Sequence, residues 1–78
     1  MPLSLSEREC LEALKAWRAG VAREHNLPAF VIFHDATLRS IAARKPESLA
    51  DLDGIAGIGQ KKREAYGADV LRVVSAFV

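Results

Sequence analysis

The first third of the chain has apolar residues at helical intervals. Cys10, Leu14, Trp17 and Val21 recur every three or four positions, on one stripe at about 100° per residue, with Leu11 and Ala22 on its shoulder. Ser6-Glu7-Arg8-Glu9 places a serine three residues before a glutamate, the reciprocal pattern that satisfies free amides at a helix start. A helix is therefore predicted from there to about Glu24. Gly20 weakens its interior by roughly 1 kcal/mol relative to Ala. His25-Asn26 ends it, and Pro28 prevents its continuation.

Pro28-Ala29-Phe30-Val31-Ile32-Phe33 is apolar enough for a strand, but the chain offers no partner strand, and an isolated one leaves its backbone unpaired. The segment reads as a tucked-in turn or short 3₁₀ piece, with Val31, Ile32 and Phe33 partly plugging the core. A second helix opens at His34-Asp35, buries Leu38, Ile41 and Ala42, and carries Arg44-Lys45 in its last turn before Pro46. Ser48 caps a short helix that points Leu49, Leu52 and Ile55 inward, and Gly54 to Gly59 form a tight turn. Gln60 to Tyr66 make a further turn or two. Gly67 breaks that helix, and a last one begins at Ala68 or Asp69 with Val70, Leu71, Val74 and Phe77 at helical spacing. The sum is an all-α compact bundle of about five short helices, one domain over residues 1–78 with its core over about 6–77.

Size sharpens this picture. A chain of 78 residues buries only about 60% of its unfolded surface, leaving one small core and no second domain to enclose a cleft. No apolar run approaches the roughly 18 residues of a membrane span, and Met1-Pro2-Leu3-Ser4 lacks signal-peptide character, so a soluble, cytoplasmic monomer is expected. One cysteine makes no internal disulfide, and no Cys/His spacing fits zinc, so no metal or cofactor is expected. Catalytic candidates are thin. Cys10 lies on the apolar stripe, His25 and His34 at helix boundaries, and Asp35 at a cap, so no catalytic residue is assigned. With 11 Lys+Arg against 10 Asp+Glu, the formal charge of +1 argues against a dedicated, tight nucleic-acid binder.

One segment qualifies that conclusion. A Gly57-Ile58-Gly59 hairpin running directly into a helix turns backbone amides and the positive helix end toward an anion, and Lys61, Lys62 and Arg63 follow within the first turns. Helix-hairpin-helix modules hold a nucleic-acid phosphate in this way without reading sequence. The same glycines equally suit a tight turn and close helix packing. Phe30 is the second candidate: a partly exposed aromatic in a loop stacks on an unpaired base, whereas a buried one is a core plug.

These motifs together resemble the HRDC domain, the helicase-and-RNase-D C-terminal domain of RecQ-type DNA helicases and RNase D. The resemblance rests on Cys10-Leu11, Leu14-Lys15 and Trp17-Arg18, then Asn26-Leu27-Pro28-Ala29-Phe30-Val31-Ile32-Phe33 and Asp35-Ala36-Thr37-Leu38, then Gly57-Ile58-Gly59 with Lys62, and Tyr66-Gly67. It runs from about residue 8 to residue 77, and the RecQ side looks closer. The resemblance implies a five-helix accessory module without catalytic residues, attached to an ATP-dependent helicase and acting in DNA repair and recombination. It implies weak contact with single-stranded or partly duplex DNA through Phe30 and nearby Lys and Arg. The candidate set is Phe30, Gly57, Gly59, Lys61, Lys62, Arg63, Arg44 and Lys45. Phe30 stands where the family more often has Tyr, Ala29 where Pro is common, Arg63 where Leu is usual, Ala65 where a basic residue is frequent and Trp17 where Leu is usual, so the basic surface is rearranged.

Three to five neutralised phosphates correspond to non-specific dissociation constants of about 10⁻⁴ to 10⁻⁶ M. The alternative is a regulatory module docking on the helicase core through the acidic Glu7, Glu9 and Glu12 with little DNA affinity, or the HRDC domain of an RNase D. The small total charge is compatible with a polarised surface, because cations cluster at Arg39, Arg44 and Lys45 and again at Lys61 to Arg63.

Overall fold

The computed structural model describes residues 2–77. The Ser4 hydroxyl accepts a hydrogen bond from the Glu7 amide at 3.1 Å, and the Glu7 carboxylate accepts one from the Ser4 amide at 2.8 Å. This reciprocal box starts the first helix two residues before the expected cap at Ser6, because Ser4 has an acidic residue at the same three-residue offset. The Ser4 bonds also hold the Glu7 carboxyl below its ordinary 4.5. Helix α1, Leu5–His25, then runs for 21 residues, about 31 Å of rise, against a longest molecular dimension of 32 Å. It ends where expected. Asn26 adopts the left-handed conformation at φ 53°, its amide reaches Arg23 O, and the Leu27 amide reaches Ala22 O at 2.9 Å.

The described residues contain five helices and no strand, in agreement with the all-α expectation, although the chain divides them differently. Ala29–Ile32 is a single α-helical turn, α2, rather than a loop or 3₁₀ piece. Its Ile32 and the following Phe33 are fully buried, whereas Val31 is exposed. Helix α3, Asp35–Arg44, buries Leu38, Ile41 and Ala42 as expected, and Lys45 closes it with φ 47°. Helix α4, Leu49–Leu52, is capped by Ser48. Leu52 and Ile55 are buried, but Leu49, expected inside, is 50% exposed.

The larger correction is at Gly67. One helix, α5, runs from Gln60–Ser75 through the position expected to break it. Gly67 is buried there because α4 crosses so closely that a Cβ would lie 2.7 Å from Leu49 Cδ2 and 3.3 Å from Leu52 Cδ1. Its role is close approach between helices, for which the missing side chain is worth more than the propensity lost.

Helix α1 is the hub, packing against α2, α3 and α5, while α4 packs on α5. The core joins Cys10, Leu14 and Ala22 of α1 to Ile32, Phe33, Leu38, Ile41, Leu52, Val70 and Val74. The buried stripe of α1 is rotated from the expected one. Trp17 and Val21 are only half-buried, and Arg18 takes a place within it. Burial pushes the Cys10 thiol up. Among the described residues, no helix is long and apolar enough to cross a membrane.

The two helical glycines separate propensity from packing. Nothing lies within 4 Å of a Cβ at Gly20, so Gly20→Ala raises stability by about 0.5–1 kcal/mol in thermal or urea unfolding. Gly67→Ala yields no such gain, since Leu49 and the buried Leu52 must give way.

Candidate nucleic-acid interface

The corner between α2 and α3 is built around a buried cation. Arg18 is only 9% exposed, and its Nη1 donates to the Phe33 carbonyl at 2.9 Å and to Asp35 Oδ1 at 2.7 Å. These two bonds clamp the end of α2 to the start of α3. The Arg18 hydrogen bond, then its charge, hold the Asp35 carboxyl below its ordinary 3.8. Arg18 Nε is buried without a partner, so the clamp leaves one donor unsatisfied.

Inward of the clamp, the Phe33 ring meets Trp17 at 6.1 Å and Tyr66 at 5.8 Å, and Trp17 meets Tyr66 edge-on at 5.9 Å. Outward of it, Phe30 is 59% exposed and lies nearly parallel to the His34 ring, with centroids 6.0 Å apart and planes at 25°. The apolar plug of this segment is thus Ile32 and Phe33, while Phe30 faces solvent beside an imidazole.

The hairpin is fixed from α3. Thr37 Oγ1 donates to the Ala56 carbonyl at 3.0 Å, and Ile55 is buried beneath the turn. Gly57 has φ 91° and lies directly against the Thr37 hydroxyl, so this position requires glycine for both conformation and space. Gly59 is extended and caps α5 with its backbone alone. Lys61 is exposed in the first turn of α5. Lys62 is half-buried, with Nζ 5.5 Å from the centre of the Phe33 ring, which links the hairpin helix to the aromatic cluster. Arg63 is half-buried, with Nη1 3.9 Å from Asp53 Oδ1.

The structure therefore brings Phe30, Gly57, Gly59, Lys61, Lys62 and Arg63 to neighbouring elements but does not add Arg44 and Lys45 to them. Lys45 lies eight residues along α3 from Thr37, about 12 Å of rise, and its Nζ donates to Ser6 Oγ at 2.6 Å and to Phe77 O at 2.8 Å. Arg44 is exposed beside it. Of the acidic candidates, Glu7 is engaged in the α1 cap and Glu12 pairs with Lys15 at 3.8 Å, while Glu9 is exposed. Sequence patterns did not single out Arg18, His34 or Thr37 for these roles. Arg18 stands at helical spacing from Leu14 and Ala22, a cation inside an apolar stripe, which is a signal that the position has a buried partner. Among the described residues no group of three His, Cys, Asp or Glu side chains is placed to hold a metal.

Two predictions test this scaffold. Thr37→Val removes the donor to the Ala56 carbonyl and lowers stability by about 0.5–1.5 kcal/mol, and Gly57→Ala is at least as costly, both read in thermal unfolding. Asp35 has a folded-state pKa below 3.8, so its contribution is fully present above that value and is lost as pH falls through the lower one. The stability difference between the wild-type protein and Asp35→Asn is therefore constant at neutral pH and closes only in strong acid.

Comparison with known proteins places this architecture. An HRDC domain profile matches residues 7–74. UvrD2, an ATP-dependent DNA helicase of Mycobacterium tuberculosis, is 48% identical over 68 residues, 87% of this chain and 10% of the helicase. RecQ, an ATP-dependent DNA helicase of Bacillus subtilis, is 35% identical over 69 residues, 88% of this chain and 12% of that protein. The chain thus spans about a tenth of the length of these relatives, and the identity to a UvrD-type helicase broadens the expected RecQ relationship. The solved HRDC domain 3 of D. radiodurans RecQ superimposes with a TM-score of 0.86 at 38% identity, covering 90% of this chain and 92% of that one. On sequence and fold alike, the chain belongs to the HRDC domain family.

Proposed function

We propose that this domain is an accessory module of a RecQ- or UvrD-type DNA helicase and that it holds single-stranded DNA weakly, guiding how the motor engages its substrate. The observation that carries this reading is the solvent-facing Phe30–His34 ring pair, clamped by Arg18 on an element whose next residue, Phe33, lies under Lys62 of the hairpin helix. An aromatic face presented to solvent stacks on a base at about 1–3 kcal/mol per base, without sequence preference. The Gly57 and Gly59 amides and Lys61 supply phosphate contacts, the Ile58 amide being held by the Ile55 carbonyl and Lys62 and Arg63 partly committed to Phe33 and Asp53. Two or three such contacts give a log–log salt slope of about −1.4 to −2 for a single strand. Arg44 and Lys45 are left outside this contact set by their position at the far end of α3.

A second reading is favoured by one patch. Leu5, 65% exposed, adjoins Phe77, Arg8, Glu9 and Glu12, so an apolar surface whose rim carries two acids against one arginine is suited to a basic region of a helicase core. If docking is the main role, Leu5→Ser with Glu9→Lys alters the ATPase activity of the longer helicase chain, while oligonucleotide binding by the domain is absent. Unchanged ATPase activity removes this reading.

The leading reading is tested by titrating the ¹⁵N-labelled protein with an eight-nucleotide oligothymidine, dT8, at low salt. Amide shifts are expected at Phe30, His34 and Gly57 to Arg63, and Phe30→Ala is expected to weaken binding by about 1–3 kcal/mol, roughly 5- to 150-fold. No shifts at millimolar DNA, or shifts confined to other regions, would overturn it.

A further inference from the structure

A groove of about 520 Å³ lies between α1, α3 and the Pro2-Leu3 segment, away from the hairpin. Arg8 and Lys15 line it from α1 and Arg39 from α3, with Leu3 and Leu11 as apolar lining. Arg39 follows Thr37 by two residues, about 200° around the helix, so groove and hairpin lie on opposite flanks of α3. The carboxylate within the lining is Glu12, which is paired with Lys15 at 3.8 Å and has its side chain 74% exposed. Three cations therefore face the groove against one largely exposed carboxylate, which is paired with one of them.

This groove continues from the aromatic platform. Asp35 and Arg39 are one turn apart on the same face of α3, and His34, which stacks on Phe30, immediately precedes Asp35. Lys15 lies close enough for its charge to act on the Asp35 carboxylate. His34 to Arg39 is about 7.5 Å of helical rise, and Lys15 to Arg8 is about 10.5 Å along α1. Because α1 and α3 run antiparallel, from Arg18 beside Asp35 to Ser6 beside Lys45, these two spans lie side by side, and the path of roughly 10 Å accommodates about two or three phosphates of one strand. Both arginines offer planar donor forks suited to phosphate oxygens.

We propose that the α1–α3 groove is a second track for a single-stranded DNA backbone, in which a strand stacked on Phe30 and His34 passes its phosphates to Lys15, Arg39 and Arg8. The inference rests on the stacking role of Phe30 and adds a direction in which the strand leaves it. The hairpin receives the strand on one flank of α3 and the groove on the other, so the platform sits within a continuous path rather than at its end. Leu3 and Leu11 then face the sugars, which carry no charge.

Fluorescence anisotropy with labelled dT8 at several salt concentrations tests this on Arg39→Glu, Lys15→Gln and a distant control, Arg72→Glu, after ¹⁵N spectra confirm that each folds. Arg39→Glu is expected to weaken dT8 binding about 5- to 20-fold and to reduce the salt slope by about one, with Lys15→Gln smaller in the same direction and Arg72→Glu near wild type. If dT8 still shifts the Phe30 and His34 amides while Arg39→Glu and Lys15→Gln bind like wild type, the groove is no part of the path and the inference fails alone. Equal losses in Arg39→Glu and Arg72→Glu overturn it too, as a general charge effect. If dT8 binds nowhere, the Phe30 reading fails and the groove falls with it. An Arg39-dependent response to a tri-aspartate peptide but not to dT8 reassigns the groove to an acidic peptide.

Discussion

A buried guanidinium has to find acceptors, and in this domain that requirement sets the geometry of everything outside the core. Arg18 meets it with the Phe33 carbonyl and the Asp35 carboxylate, on the residue that caps α2 and the first residue of α3. A four-residue helix has too few internal bonds to hold itself, so α2 depends on this attachment and on the burial of Ile32 and Phe33. Because Asp35 and Thr37 share the first turn of α3, the same turn that receives Arg18 also holds the Gly54–Gly59 hairpin. Platform and hairpin are thus referenced to one rigid turn, and the unsatisfied Arg18 Nε is the cost of placing a forked donor inside an apolar stripe.

The near-zero net charge conceals an uneven use of the cations. Lys15, Arg18, Arg63 and Arg72 pair with carboxylates, and Lys45 is hydrogen-bonded to Ser6 and Phe77. Among the described residues, Arg8, Arg39 and Lys61, at the groove and the hairpin, form no ion pair, nor do Lys62 over Phe33 and the exposed Arg23 and Arg44 at the ends of α1 and α3. Surface pairs of this kind contribute little to stability, since solvent screens them. Their effect is to subtract charge from some regions and leave it in others. A domain organised this way binds a polyanion weakly, which suits an attachment to a stronger motor.

The long periodic elements were legible because periodicity, capping and termination agree over many residues. Helix α1 ends at Asn26 as its sequence implies, and α3 presents Leu38, Ile41 and Ala42 inward. The misreading at Gly67 comes from a partner distant in sequence. Gly67 reads as a breaker until α4 crosses it, and Leu49 reads as core until the end of α4 leaves it half outside. The start of α1 is ambiguous in sequence because Ser4 and Ser6 both have glutamate three residues on, and local pattern cannot rank them. In the candidate site, the hairpin glycines and the aromatic were visible as residue types. What was not visible is which ring of Phe30 and Phe33 turns outward, since that depends on Arg18, 15 residues before Phe33.

The Lys45 ammonium holds the beginning and the end of the helical body together, donating to the Ser6 hydroxyl and the Phe77 carbonyl, which are themselves joined by a hydrogen bond of 3.3 Å. This knot lies at the C-terminal end of α3 and α5, whereas platform and hairpin lie at their N-terminal ends. Polypeptide arriving at and leaving the body at these residues does so side by side, like the two cords of a pendant. A tether of this kind lets the body swing or be spliced between other segments without dragging chain across the platform and the hairpin, and the same adjacency makes the fold a natural substrate for circular permutation.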